Sequence, residues 1–125
     1  MKLNNECVRD LMLYIEDNLE LGNYIDVATI EELEYSIDIL LYTAIKLHEA
    51  GYTNSTIDLD IENQPEVIIH SITWQGHKFL DNIRDDKVWK TTKNIISKFS
   101  SVSFSIIEKI SAQVITNLIN QYMGQ

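Results

Sequence analysis

The sequence predicts a mainly helical protein that contains one small β-hairpin. Apolar residues recur at spacings of three and four through most of the 125 residues, as on one face of a helix. The segment from Thr56 to Ile61 alternates apolar and polar residues instead, which is typical of a half-buried strand. A hydrophobic share of 45% with 23% charged residues indicates a globular chain long enough to bury a core.

The first helix is predicted over residues 3–19. Leu3, Cys7, Leu11 and Leu19 fall on one face, and Asn4 or Asn5 can cap the start. Gly22 marks the exit of the chain from this helix.

Two more helices are predicted before the hairpin. Thr29 with Glu32 three residues later forms a capping box, which predicts a helix that begins near Ile30. A second helical pattern runs from Tyr35 to Ala50 and ends at Gly51, a residue that favours a left-handed helix terminus.

The hairpin is predicted from two strands and a turn. Ile57, Leu59 and Ile61 share one face of the first strand, residues 63–65 make the turn, and a β-branched strand runs from Val67 to Thr73. Three helices followed by a hairpin is the element order of a winged helix.

Helices are predicted for the remainder. Thr73 caps a helix that reaches about Phe99, with room for an irregularity at Asp85 and Asp86. The serine-rich residues 100–103 break it, and a capping box of Ser105 and Glu108 starts a last helix. We therefore predict a winged-helix-like domain over residues 1–90, and over residues 91–125 a helical extension that packs on it or mediates dimerisation.

The aromatic and glycine residues around the second strand also carry predictions. Trp74 is expected to fill the base of the hairpin, and Gly76 is expected to allow close packing of its helix. For Trp89 core packing is favoured over an exposed contact.

Two resemblances to known proteins are found in the sequence. Residues 41–52, preceded by Tyr35 and Ser36, resemble the third helix of small winged-helix regulators. Residues 73–89, together with residues 7–16, resemble the domain of unknown function 2513 family, which occurs in phages, prophages and bacterial mobile elements. The resemblance covers most of residues 1–90. It implies a winged-helix-like fold and a mobile-element setting, and it supplies no catalytic residue.

The net charge of −9 is unevenly distributed. Residues 1–86 hold 18 acidic and 5 basic residues, whereas residues 87–125 hold 1 acidic and 5 basic residues. Residues 47–77 contain no Lys or Arg. Such a surface repels nucleic acid and anionic membrane and attracts basic proteins.

Catalytic and metal-site patterns are not found in the sequence. Cys7 is the single cysteine, so neither an internal disulfide nor a thiolate zinc cluster can form, and His48, His70 and His77 lack metal-ligand spacing. The acids from Asp58 to Glu62 lack the glycine and the final glutamate of a calcium loop. Nucleophile elbows and phosphate-binding glycine loops are missing too, so we expect a protein that is not an enzyme and needs no cofactor or metal. Without an apolar leader or a span of about 20 apolar residues, a cytoplasmic location is expected.

The leading functional hypothesis is an acidic face that binds a basic protein partner and regulates or inhibits it. A sharper version makes the face a nucleic-acid mimic against a host defence nuclease, such as a CRISPR effector. The predicted acidic face comprises Glu31, Glu32, Glu34, Asp38, Asp58, Asp60, Glu62 and Glu66.

Two alternatives remain open. One is a DNA-binding transcriptional regulator that dimerises through the last helix, and the other is a purely structural dimerisation module. The nucleic-acid contacts of the regulator would be Thr43, Lys46, Lys87, Lys90 and Lys93.

Overall fold

The computed structural model of the chain describes residues 1–59 and 64–124. Its helices are α1 (Asn5–Asn18), α2 (Ile37–Glu49), α3 (Trp74–Ile83), α4 (Asp86–Ile96) and α5 (Phe104–Tyr122). Its strands are β1 (Ile25–Asp26), β2 (Thr53–Asp58) and β3 (Glu66–Ile72), and a short 3-10 helix spans Val27–Thr29. The prediction of a mainly helical protein with a small β-structure is confirmed. Within the described residues, no helix is both long and apolar enough to cross a membrane.

The sheet has one strand more than the predicted hairpin. Its three antiparallel strands stand in the order β1-β3-β2, and the short β1 pairs Ile25 with Ile69 and Asp26 with Ile68. A strand of two residues is too short to show an alternating pattern, so its existence depends on a partner that is distant in sequence.

The start of α1 and the following turn are as predicted. The Asn4 side chain accepts a hydrogen bond from the Cys7 amide at 3.1 Å, and Gly22 has a φ of 87°. Cys7 and Leu11 are fully buried in the core.

The predicted helix near Ile30 is wrong. The Thr29 hydroxyl donates to the Asp26 carbonyl at 2.7 Å, and the Glu32 carboxylate accepts from the Glu31 amide and from the Tyr14 hydroxyl. Because both members of the expected capping box are bonded elsewhere, the chain forms only the 3-10 helix there. The next helix, α2, begins after Ser36, whose side chain accepts from the Ile39 amide.

The first hairpin strand begins and ends earlier than its alternation suggests. Thr53 and Ser55 face inward with low exposure, and the two side chains are hydrogen-bonded at 3.1 Å. Ile57 keeps the predicted inward register opposite Val67, but the strand ends at Asp58 and Leu59 is 70% exposed. Ile61 lies outside the described residues. Pairing with β3, rather than local alternation, therefore sets the limits of β2.

The junction of β3 and α3 confirms two predictions and corrects one. Thr73 caps α3 by accepting from the Gly76 amide at 3.0 Å. A Cβ placed on Gly76 would lie 2.0 Å from the Tyr52 carbonyl oxygen, so the backbones approach as closely as expected. Trp74, in contrast, is 74% exposed, so it does not fill the base of the hairpin.

The long helix predicted from Thr73 to Phe99 is two helices. Asp85 caps α4 by accepting from the Val88 amide, so the expected irregularity is a complete break. Ser103 caps α5 in place of the predicted Ser105. Trp89 is 4% exposed, which confirms core packing.

The chain divides into two compact units, an N-terminal unit, Met1–His77, and a second unit, Lys78–Gln125. In the second unit, the Phe79 and Phe104 rings are 5.5 Å apart and the buried hydroxyls of Thr92 and Ser111 are 3.2 Å apart. The sequence places its boundary at residue 90 instead. Trp89 and Thr92 are buried side chains of one helix, α4, so a boundary at that point would divide a helix that packs on α5.

Candidate functional site

Four of the predicted acidic residues lie on the segment between the 3-10 helix and the first turn of α2. Glu31, Glu32, Glu34 and Asp38 are all exposed. The Glu32 carboxylate accepts from the Tyr14 hydroxyl of α1 at 2.8 Å. This bond and the amide of Glu31 lower the pKa of Glu32, so the carboxylate is held in its charged form. We call these four residues the acidic segment.

A second tyrosine fixes the same segment to α1. The Tyr35 hydroxyl donates to Asp10 at 2.6 Å, and burial together with the adjacent Asp10 carboxylate raises the pKa of Tyr35. Its phenol therefore remains protonated and continues to donate at physiological pH. The acidic segment is thus attached to α1 by two side-chain bonds, although it is mostly not helical.

Two of the other predicted acids lie on the paired strands β2 and β3. Asp58 and Glu66 are directly opposite each other in the register of β2 and β3, and both are exposed. Like charges at opposed positions of a sheet destabilise the pair. Asp60 and Glu62 lie outside the described residues. The predicted face therefore consists of at least two parts, the acidic segment and the opposed pair Asp58 and Glu66.

Positive charge on the N-terminal unit is limited. Residues 1–77 hold 15 acidic and 3 basic residues. Of those three, Arg9 is only 8% exposed and Lys46 binds Glu49 at 2.9 Å. The acidic charge of this unit is therefore poorly compensated at its surface.

Among the predicted nucleic-acid contacts, Thr43 is wrong. It is 1% exposed, and its hydroxyl donates to the Ile39 carbonyl at 2.7 Å. The spacing of α2 turns this residue toward the core with Leu40 and Leu47. Lys46 is partly exposed, but its ammonium is engaged by Glu49 and lies 5.3 Å from the centre of the Tyr42 ring.

The three remaining predicted contacts lie on α4. Lys87, Lys90 and Lys93 are exposed, at spacings that keep neighbouring members on one side of the helix. The opposite side of α4 carries the buried Val88, Trp89 and Thr92. The structure therefore presents these lysines to solvent as a row.

The predicted dimerisation helix, α5, is covered near its start and exposed near its end. Ile107 and Ser111 are buried, whereas Ile119 is 50% exposed and Tyr122 is 83% exposed. An apolar side chain at these levels of exposure is available for a further contact.

One cavity went unnoticed in the sequence. A space of about 280 Å³ lies in the N-terminal unit, between the end of α1 and the end of β3, and its lining includes Glu16, Glu20, His70 and His77. These residues come from segments fifty or more positions apart, and their spacing matches no motif. The nearest signal in the sequence was the pair of glutamates at the end of the first helix.

Comparison with known proteins identifies the family but no activity. A family model described as "Hypothetical protein (DUF2513)" matches residues 2–103. An uncharacterized protein of Haemophilus influenzae is 30% identical over 122 residues, which is 95% of this chain and 99% of that protein. No solved structure matches the chain. Since the family model covers most of the chain, including both segments that carry the predicted acids, the chain belongs to the DUF2513 family.

Proposed function

We propose that the chain is a non-enzymatic binding protein whose acidic N-terminal unit recognises a basic surface of another protein and regulates or inhibits that partner. The observation that carries the proposal is the excess of exposed carboxylates in the N-terminal unit, where Arg9 is buried and Lys46 is paired. Long-range attraction between such a surface and a basic one speeds association and selects partners by charge.

We also propose that the N-terminal unit is winged-helix-like. The helix that precedes the hairpin is α2, the position from which a winged helix enters the major groove. Its exposed polar side chains include Asp38 and Glu49, and its one lysine is bonded to Glu49. Phosphate contacts need unpaired cations, so this charge distribution favours a protein partner over DNA.

Charge reversal on the acidic segment tests the proposal. Glu31→Lys/Glu34→Lys should lose partners that the wild type captures from cells encoding it, and titration calorimetry with each purified partner should confirm the loss. The matched control, Asp17→Lys/Asp81→Lys, changes the net charge equally at exposed carboxylates outside the segment. Equal affinities of both double variants and the wild type for every captured protein would refute the proposal.

The nucleic-acid mimic hypothesis also predicts competition with DNA. If the acidic segment occupies a nucleic-acid site of the partner, duplex DNA should displace the protein competitively, and the displacement should weaken as salt rises. A partner that binds DNA and this protein simultaneously would limit the proposal to ordinary charge recognition. Location of the gene for this protein in a phage or mobile element, beside a defence gene, would support the inhibitor role.

Nucleic-acid binding is the second candidate function, and the exposed row Lys87, Lys90 and Lys93 favours it. Such a regulator should shift its own promoter fragment in a gel at low salt, and Lys90→Glu/Lys93→Glu should abolish the shift. If the wild-type protein does not shift the promoter fragment at low salt, this candidate is eliminated.

Self-association through α5 is proposed for either function. No charged side chain occurs between Ile110 and Tyr122, so a second copy of this acidic protein can approach there without like-charge repulsion. Light scattering should give a dimer mass that Ile119→Glu/Tyr122→Glu reduces to that of the monomer, while Gln113→Glu/Asn117→Glu on the same helix serves as a control for added charge. A monomeric wild type would refute the dimer.

A further inference from the structure

The cavity between α1 and β3 combines an apolar floor with negative charge. Ile15 and Ile72 are buried or half-buried, and Leu19 adds a third aliphatic side chain. Glu16 and Glu20 supply two carboxylates at the same cavity. A ligand that fits must be apolar along its length and positively charged at one end.

The helix end at this cavity favours the same charge. α1 ends at Asn18, and its last turn contains no basic residue. The carbonyl groups at a helix C-terminus carry partial negative charge and stabilise a nearby cation. The carboxylates and the helix end therefore act in the same direction.

The cavity has room for one long side chain. Its volume is about 280 Å³, just below the range of about 300–1,000 Å³ that is usual for small-molecule sites. Lysine and arginine bury an aliphatic stem along apolar surface and keep a charged head at its edge. The guanidinium of arginine can also bind a carboxylate through two parallel hydrogen bonds.

The histidines of the cavity do not convert it into a metal site. His70 is held against β2 by a 2.8 Å bond between its Nε2 and the Thr56 hydroxyl, and His77 lies in the first turn of α3. Within residues 1–59 and 64–124, no group of three or more His, Cys, Asp or Glu side chains could hold a metal ion.

We propose that this cavity receives an arginine or lysine side chain of the basic partner, with its stem on Ile15, Leu19 and Ile72 and its charged head at Glu16 and Glu20. The proposal rests on the proposed function and assigns it an anchoring site. It turns a diffuse attraction into a local recognition of one side chain, which is how interfaces concentrate their binding free energy.

Two matched peptides test the stem. The first is a fluorescein-labelled nonapeptide in which arginine alternates with glycine, and the second replaces each arginine by a guanidinium residue with a shorter stem and the same charge. Fluorescence anisotropy should show that the wild type binds the long-stem peptide about tenfold or more tightly than the short-stem one. Nuclear magnetic resonance should show amide shifts at Ser71 and Ile72.

Two matched variants test the carboxylates. Glu16→Gln/Glu20→Gln should weaken binding of the long-stem peptide about tenfold or more. Glu31→Gln/Glu34→Gln removes the same charge outside the cavity and should weaken binding less. Circular dichroism verifies that both variants are folded.

The outcomes separate this proposal from the proposed function. If both peptides bind equally and both variants weaken binding equally, the cavity proposal is overturned and the proposed function stands, because diffuse charge then accounts for binding. If the wild type binds neither peptide even at low salt, both proposals fail.

Discussion

Two tyrosine hydroxyls give the acidic segment a defined position. Tyr14 of α1 donates to Glu32, and Tyr35, in the stretch before α2, donates to Asp10 of α1. A phenol is a good donor to a charged acceptor, and such charge-assisted bonds are stronger than bonds between neutral groups. The chain thereby holds exposed negative charge in place without a helix.

Tyr14→Phe tests this arrangement. The bond from Tyr14 is the main reason that the pKa of Glu32 is lowered, so its removal should raise that pKa toward the ordinary value for a glutamate. Because the folded-state pKa is the lower one, the bond stabilises the protein at neutral pH, and this stabilisation is lost as the pH falls through the lowered pKa.

Carbon-detected NMR titration of the Glu32 carboxyl provides the measurement. Tyr35→Phe is the control, since it removes the bond to Asp10 and should leave the pKa of Glu32 unchanged. An unchanged pKa in Tyr14→Phe would contradict the structure.

Gly76→Ala should destabilise the N-terminal unit. The added Cβ would lie 2.0 Å from the Tyr52 carbonyl oxygen and 2.8 Å from Cγ2 of Ile72, and backbone cannot yield as a flexible side chain can. Overpacking of this kind typically costs about 1–3 kcal/mol. Urea unfolding should reveal the loss, and Gln75→Ala at the adjacent exposed position should change stability by less than about 0.5 kcal/mol. A Gly76→Ala protein as stable as the wild type would show that the two backbones are farther apart.

At the level of elements, α4 and α5 are joined by a buried polar contact. The hydroxyls of Thr92 and Ser111 are 3.2 Å apart and both residues are fully buried. A buried hydroxyl that loses its partner still carries the free-energy cost of desolvation, and this cost disappears when both hydroxyls are removed. This pair therefore specifies how the two helices align.

A double-mutant cycle measures the contact. Thr92→Val and Ser111→Ala should each cost about 1–3 kcal/mol in urea unfolding. The double variant should cost less than the two single costs combined, with a coupling of about 0.5 kcal/mol or more. Additive losses would show that the two hydroxyls do not depend on each other.

The elements differ in how far sequence alone could define them. α1 and α3 each begin at a side chain that accepts from the amide three residues later, Asn4 and Thr73. Both starts were therefore predictable from the local sequence. The helix expected at Ile30 failed because Glu32 is bonded to Tyr14, a residue eighteen positions away. Local patterns predict structure where the bonding partner is also local.

At the level of the whole molecule, charge is the dominant property. The net charge is −9, and 15 of the 19 acidic residues precede Lys78. Like charges on one compact unit repel each other and oppose folding, and salt screens this repulsion. The charge that is proposed to attract a partner should thus also reduce stability.

Stability should accordingly rise with added salt. The Debye length falls from about 30 Å at 0.01 M to about 8 Å at 0.15 M, so NaCl over this range should increase the free energy of unfolding. Urea is the suitable denaturant because it is uncharged. The variant Glu31→Gln/Glu34→Gln, which has less charge to screen, should show a smaller increase. Stability that falls with salt would indicate that attractive ion pairs outweigh the repulsion.

The sequence by itself determined the fold class, the uneven charge and the family, because composition, periodicity and motif spacing depend only on which residues follow one another along the chain. It also identified acids of the predicted face that prove exposed, Glu31, Glu34, Asp38 and Glu66 among them. Only the tertiary structure decided that Thr43 is buried, that Trp74 is exposed and that α1 and β3 line a cavity. These features depend on which distant segments pack together, and no local pattern records that packing.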